Sequence, residues 1–267
     1  MTDPSPNDQE GRFLIAEEQG PRNEQQDAAV CLTAPQAGTA LLIVSDGVGG
    51  QSGGRIASQQ VIATARQLWT ERKGEFSDPN EDLETLCREA HAQINAAGVQ
   101  YGISPRATIV ALYLAPAGAY WTHSGDSRLY HFRAGELVSR TEDHSLLQIM
   151  VKQGLVKEDR MGTHPDQGLL IQSLGGDEYK SPSMAFTETT PQDAFLLCTD
   201  GFWERTEIEE MAELLFGSRE QTAMLLDQAL KRAVERNGSG GDNVSVALVL
   251  PAAPTLTTTA SPHAVTT

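Results

Sequence analysis

Five aspartates in this sequence share a setting that could do chemistry. Asp46 closes the apolar run of LIVSDG (42–47) and Asp200 closes that of LLCTDG (196–201), each behind a hydroxyl residue and ahead of a glycine. Asp126 in HSGDSR (123–128) and Asp242 in GGDNVSV (240–246) occupy small-residue turns beside apolar runs, and Asp27 precedes AAVCL. Any one Asp-Gly or Gly-Asp step is an ordinary turn former. Four of matching grammar, each beside a strand-like run, point instead to carboxylates delivered by strand ends to one place. Carboxylates brought so close repel and raise one another's pKa unless cations stand between them. A donor set made of oxygen selects a hard ion such as Mg²⁺ or Mn²⁺ over zinc. Two such ions could lower the pKa of a bridging water and clamp a phosphoryl oxygen.

The segment around Asp46, LIVSDGVGGQSGGR (42–55), carries five glycines but fits neither phosphate-loop template. No Gly-Lys-Ser/Thr follows, and the G-x-G-x-x-G spacing that starts at Gly47 has Ser52 in its last place. The aspartate itself is therefore the feature to explain.

The elements that must position these carboxylates are mostly short strands. FLIAE (13–17), AAVCLT (28–33), ALLIVS (40–45), TIVALYLA (108–115), AYWTHS (119–124), RLYHF (128–132), ELVSR (136–140), MAFTET (184–189), AFLLCT (194–199) and NVSVALVL (243–250) all read as strands. RLYHFRAGELVSR predicts a hairpin turning at Arg133-Ala134-Gly135. Helical periodicity runs through 55–72, 82–98, 145–154, 207–216 and 219–236, with the polar ERKGEFSDPNED (71–82) as a loop. This order lacks strict β-α-β-α alternation, so an α+β architecture of two antiparallel sheets flanked by helix pairs is expected.

The totals narrow the functions. A formal net charge of −16 over 267 residues argues against nucleic acid and against an anionic membrane surface. Cys31, Cys87 and Cys198 form no C-x-x-C pair, and Cys31 and Cys198 lie in apolar runs as small core residues, which suits a reducing compartment. The opening MTDPSPNDQEG is polar, and no apolar run approaches membrane-spanning length, so a soluble, cytoplasmic protein is expected. Residues 1–11 and 251–267 are expected to be disordered, leaving one domain over 12–250.

Taken in order, these residues resemble the metal-dependent protein phosphatase family (PPM, the protein phosphatase 2C type). SDGVGG is similar to its D-G-x-G-G, HSGDSRLY to G-D-S-R, TEDHS (141–145) to T-x-D-H-S, THPDQGLLIQSLGG (163–176) to its His-Pro segment, CTDGFWE to S-D-G-L-W-D, and GDNVSV to G-D-N-x-T/S. The resemblance implies an α-β-β-α sandwich that hydrolyses phosphoserine and phosphothreonine in proteins with a metal-activated water. Its centre would hold two Mn²⁺ or Mg²⁺ ions, with a possible third. By position, Asp46 would bridge the two ions, helped by the carbonyl of Gly47; Asp200 and Asp242 would hold the first and Asp27 the second. Asp126 would share a weaker third ion with Asp200, and Arg22 would clamp the substrate phosphate. Asp46, Asp200 and Arg22 are thus the catalytic set. Phosphorylated proteins would be the substrates, an opposing Ser/Thr kinase the partner, and a monomer the default state.

Departures are local. The first motif reads RNEQQD (22–27), with Gln25 in place of Asn and Gln26 in place of the usual acid or amide; Val48 stands where eukaryotic members carry a histidine. Arg106-Ala107-Thr108 replaces small-Gly-Thr-Thr, and Gly168 stands where Asn is common. Among the histidines, His123 is the one to test as a proton donor, His144 is expected to brace the helix after it, and His164 to fix the segment 145–168. Phe202 and Trp203 are expected to pack beneath the aspartates. Two other readings share these residues: a two-metal phosphatase of small phosphoesters, and a phosphoprotein-binding relative without hydrolysis.

Overall fold

The run TALLIVS (39–45) is buried at every position, which a strand achieves only when both of its faces are covered. In the computed structural model, which describes residues 12–48, 53–217 and 219–252, that strand lies in the middle of four layers. One sheet is ordered β1 (Phe13–Glu18), β12 (Val244–Val249), β11 (Asp193–Cys198), β8 (Arg128–Arg133) and β9 (Glu136–Arg140). The other is ordered β10 (Ser183–Thr187), β7 (Gly118–Ser124), β6 (Ile109–Ala115), β3 (Thr39–Ser45) and β2 (Ala28–Ala34). Every pairing within both sheets is antiparallel.

Side chains alternate across the layers as the period of two requires. Leu42 and Val44 of β3 join Phe195 and Leu197 of β11 in the core between the sheets. Leu41 and Ile43 turn to the outer core under α1 (Gly53–Glu71) and α2 (Pro79–Tyr101). Leu196 and Cys198 turn the opposite way, toward α5 (Ile208–Phe216) and α6 (Arg219–Asn237). The expected α-β-β-α sandwich with helix pairs outside is the observed fold.

Differences from the expected elements have local causes. α2 starts earlier than 82, because Asp78 caps it by accepting from the backbone N–H of Asn80 and Glu81 and Pro79 fits its first turn. It runs on past 98 to Gly102, whose φ of 67° forms the left-handed cap. The hairpin turns as expected, with Ala134 at φ 52° and Gly135 at φ 91°. Two strands of two residues each, β4 (Gly47–Val48) and β5 (Arg106–Ala107), pair with each other, and Ala107 bridges to Leu174; they are too short to leave a periodic signal. The helix expected over 145–154 forms as α3 (Leu146–Lys152). The three cysteines are unpaired; Cys87 and Cys198 are buried, whereas Cys31 is only half-buried on β2. The disorder expected for 1–11 and 251–267 concerns residues that, apart from 251 and 252, lie outside the described set. No helix among the described residues is long and apolar enough to cross a membrane.

Candidate metal centre

The acidic strand ends meet because hydroxyl residues tie neighbouring strands together just before they end. Thr108 donates its backbone N–H to the carbonyl of Asp46 (2.8 Å) and accepts the Asp46 N–H on Oγ1 (2.8 Å). Ser45 donates its hydroxyl to the Thr108 carbonyl (2.7 Å), and Ser127 of the GDSR turn lies 2.7 Å from Thr108 Oγ1. On the other sheet Thr199 plays the matching part: it donates to Asp27 Oδ2 (2.9 Å) and accepts from the backbone N–H of Ser245 (3.0 Å). The hydroxyl that precedes each Asp-Gly step was the sequence signal for this role.

The glycines after the aspartates permit close crossings of backbone. A Cβ on Gly47 would lie 2.0 Å from the carbonyl oxygen of Gly54, and one on Gly54 would lie 2.2 Å from that of Gly47. The first turn of α1 therefore rests directly on the chain leaving Asp46. Gly201, after Asp200 at the start of α4 (Asp200–Trp203), is equally confined: a Cβ there would lie 2.1 Å from the Asn243 carbonyl. Asn243 in turn accepts the Gln26 N–H and donates to the Gln19 carbonyl, both at 2.8 Å, which fastens the RNEQQD segment over the strand ends.

Asp46, Asp126 and Asp200 each turn one carboxylate oxygen toward a common point, the three atoms lying within 4.8 Å of one another. They line a cleft of about 250 Å³ whose wall also includes Gly47, Asp242 and Arg22, with Gln26, Val48, Gly168 and Leu170 completing it. Six of the seven expected site residues thus border one cavity. Asp27 does not: it is buried at 6% exposure, held by Thr199, and borders a second cleft beside Gln25 and Arg55. Arg22 donates from its Nη2 to Asp242 Oδ2 (2.8 Å) and from Nε to the Gly241 carbonyl (2.9 Å).

Burial and mutual repulsion act together on these groups. Burial first, then the charge of Asp200, pushes Asp27 up to about 7. Asp200 also rises to about 7, through burial and then Asp242. Asp46 and Asp126 are raised well above the ordinary carboxylate range, by burial and then by Asp200. A group not singled out from the sequence joins them: the Glu204 carboxyl rises to about 8, through burial and then Asp200. Such a gathering of oxygen donors, with a guanidinium only at its margin, fits hard divalent cations and leaves their charges uncompensated otherwise.

Beneath Asp126 lies a brace. Arg128 makes a buried fork with Asp143, Nε to Oδ1 at 2.7 Å and Nη2 to Oδ2 at 2.8 Å. Its guanidinium lies 3.3 Å over the ring of Trp203, and the Trp203 indole donates to the Asp126 carbonyl (2.9 Å). Phe202 is core, as expected, while Trp203 does more than fill space.

The histidines correct the sequence reading. His123 is not on the cleft wall; it is buried, stacked on His144 at 4.6 Å between ring centroids, and bonded to the Glu142 carbonyl. Burial holds it below the usual imidazole range. His144 does not brace the next helix as expected; Ser145 caps that helix by accepting the Gln148 N–H. His144 accepts instead from the backbone N–H of Gly125 and contacts Ser183 Oγ (2.9 Å), steadying the turn that carries Asp126. His164 bonds locally, accepting the Asp166 N–H, and its ring lies 3.7 Å from the Asp166 carboxylate.

Two back-to-back antiparallel sheets between helix pairs, with carboxylates gathered where the strand ends meet, define the architecture of metal-dependent protein phosphatases. The family description Protein phosphatase 2C matches residues 21–235, and the chain belongs to that family. It is similar to the serine/threonine protein phosphatase PstP of Mycobacterium tuberculosis, 32% identical over 217 residues, which are 79% of this chain but only 40% of that protein. It is also similar to the serine/threonine phosphatase stp of Listeria monocytogenes, 29% identical over 216 residues, covering 78% of this chain and 83% of the relative. Among solved structures, the catalytic domain of PstP in complex with two manganese ions superposes with a TM-score of 0.76 at 26% identity, over 89% of this chain and 96% of that one.

Proposed function

We infer that this chain hydrolyses phosphoserine and phosphothreonine esters in proteins with the aid of two divalent cations, Mn²⁺ or Mg²⁺. The observation that carries the reading is the convergence of Asp46, Asp126 and Asp200 in a cleft that also presents Arg22. The relatives named as Ser/Thr phosphatases support it, as does the manganese-bound PstP domain. Asp46, Asp200 and Asp242, with the carbonyl of Gly47, would hold the paired ions. Asp27 would act on the second ion, directly or through water, and Asp126 with Asp200 would take a third. Bound cations supply Lewis acidity toward a phosphoryl oxygen and lower the pKa of water. Arg22 offers a planar fork to the remaining phosphate oxygens, a geometry that guanidinium matches better than ammonium does. Thr108 and Ser127 fix Asp46 and so preserve the spacing on which in-line displacement depends. No histidine lines the cleft among the described residues, and Val48 occupies the wall after Gly47.

The reading carries a catalytic domain over 12–250, phosphoprotein substrates, an opposing Ser/Thr kinase, a monomer and a cytoplasmic setting. Hydrolysis of p-nitrophenyl phosphate and a phosphothreonine peptide tests it, with Mn²⁺ or EDTA, for wild type and Asp200→Asn. Release from both substrates that needs Mn²⁺ and is lost in the variant supports it. No turnover by folded, Mn²⁺-loaded wild type sinks it.

A further inference from the structure

Arg106 replaces a small residue in the family pattern, and the fold places it beside the cleft. β4 and β5 put Val48 directly opposite Arg106, so their side chains stand on one face with Cβ atoms about 5 Å apart. Val48 lines the cleft. On its other side β5 meets Leu174, two residues before Gly176. The Arg106 guanidinium lies flat on Gly176: a Cβ at 176 would come within 2.9 Å of Nη2 and 3.0 Å of Cζ. Gly176 also has φ +86°, a second reason for glycine there.

This platform is held rigidly from α2. Asn95 accepts the Gly176 N–H and donates to the Gly176 carbonyl, both at 2.9 Å, and His91 Nδ1 accepts the Gly175 N–H at 3.1 Å. An arginine so placed has lost part of its rotamer freedom before any ligand arrives, which lowers the entropy cost of binding one. Yet Arg106 is exposed, and its guanidinium has no hydrogen bond or ion pair among the described residues. That is notable in a chain with 36 acidic and 20 basic side chains. Arg22, by contrast, is already bonded to Asp242 and to the Gly241 carbonyl.

We propose that Arg106 is a specificity residue that binds a second anionic group on the substrate, a carboxylate or a further phosphate near the phosphorylated residue. The proposal rests on the phosphatase reading for the identity of the first group. The guanidinium lies one to two strand spacings from the cleft wall, about 5–10 Å. An extended chain advances about 3.3 Å per residue. The second anion therefore belongs about two or three residues from the phosphoresidue. A planar fork suits both carboxylate and phosphate, and the flat seat on Gly176 leaves its donors available.

The test uses Mn²⁺-loaded full-length protein and non-hydrolysable phosphonate analogues of a phosphothreonine peptide, with binding read by fluorescence anisotropy. One series is neutral, one places a single glutamate at each flanking position in turn, and one places a second phosphonate there. Wild type binds one or two of the anionic peptides about threefold to tenfold more tightly than the neutral one, and about 0.5 M salt erases the difference. The glutamate and phosphonate series tell the two anion sources apart. Arg106→Gln brings the anionic-to-neutral ratio to near one, and Arg106→Lys, which keeps the charge but loses the flat seat, retains part of it. Equal binding of all peptides by wild type, no measurable binding of any, or a ratio unchanged in Arg106→Gln overturns the proposal. Turnover of p-nitrophenyl phosphate by wild type is measured separately. Its absence would remove the phosphatase reading and leave the anisotropy result to decide on Arg106.

Discussion

Replacing Asp143 by asparagine removes one charge from a pair that the fold has taken almost wholly out of water. The Arg128 and Asp143 side chains are 6% and 2% exposed, with contacts of 2.7 and 2.8 Å. At an effective dielectric near 20, opposite charges about 2.8 Å apart attract by about 6 kcal/mol, from which the desolvation of both must be subtracted. The variant loses the attraction but keeps the buried guanidinium, a situation that costs about 3–5 kcal/mol. That is a large part of the total for a domain, about 5–15 kcal/mol. Urea denaturation of wild type, Asp143→Asn, Arg128→Met and the double variant Arg128→Met/Asp143→Asn measures it, with stability taken from the midpoint at constant slope. The double variant is expected to be more stable than Asp143→Asn, with a coupling of about 2 kcal/mol or more between the two positions. Because Arg128 seats Trp203 and Trp203 holds the Asp126 carbonyl, Mn²⁺-dependent turnover should fall even where Asp143→Asn remains folded. A loss below about 1 kcal/mol for the single variant, or simple additivity, would refute the reasoning.

Two further outcomes follow from the same geometry. Gly201→Ala would drive a Cβ to 2.1 Å from the Asn243 carbonyl, so it should destabilise by about 3 kcal/mol or more, read as a thermal shift; an unchanged melting temperature contradicts the close crossing. In EDTA-treated protein, Asp27 and Asp200 are raised to about 7, above the ordinary unfolded value of about 3.9. The folded state then holds more protons than the unfolded one between about pH 4 and 7, so stability should fall as pH rises through that window, by up to about 1.4 kcal/mol per pH unit per proton. Mn²⁺ should restore it most strongly above pH 7, and a flat melting profile from pH 5.5 to 7.5 would contradict this.

The sequence by itself made the layers and the acidic strand ends legible. Apolar runs such as ALLIVS marked the strands, and the periodic stretches between them marked the helices. The repeated hydroxyl-Asp-Gly step behind an apolar run marked carboxylates at strand ends. What it left undecided were features whose signal is too short or lies in another part of the chain. β4 and β5 are two residues each, too few for a period, yet they seat Gly47 and Arg106. His123 looked like a proton donor because it sits three residues from Asp126, but strand alternation turns it onto His144 and away from the cleft. Trp203 read as core, and only the partners brought by distant segments, Arg128 and the Asp126 carbonyl, give it a second task. Asp27 stood apart from the four Asp-Gly and Gly-Asp acids in the sequence, and tertiary packing sets it off the cleft wall, held by Thr199. Spacing along the chain fixes which groups can reach a strand end; the direction in which each side chain leaves, and the charge it meets there, is decided only when the sheets are stacked.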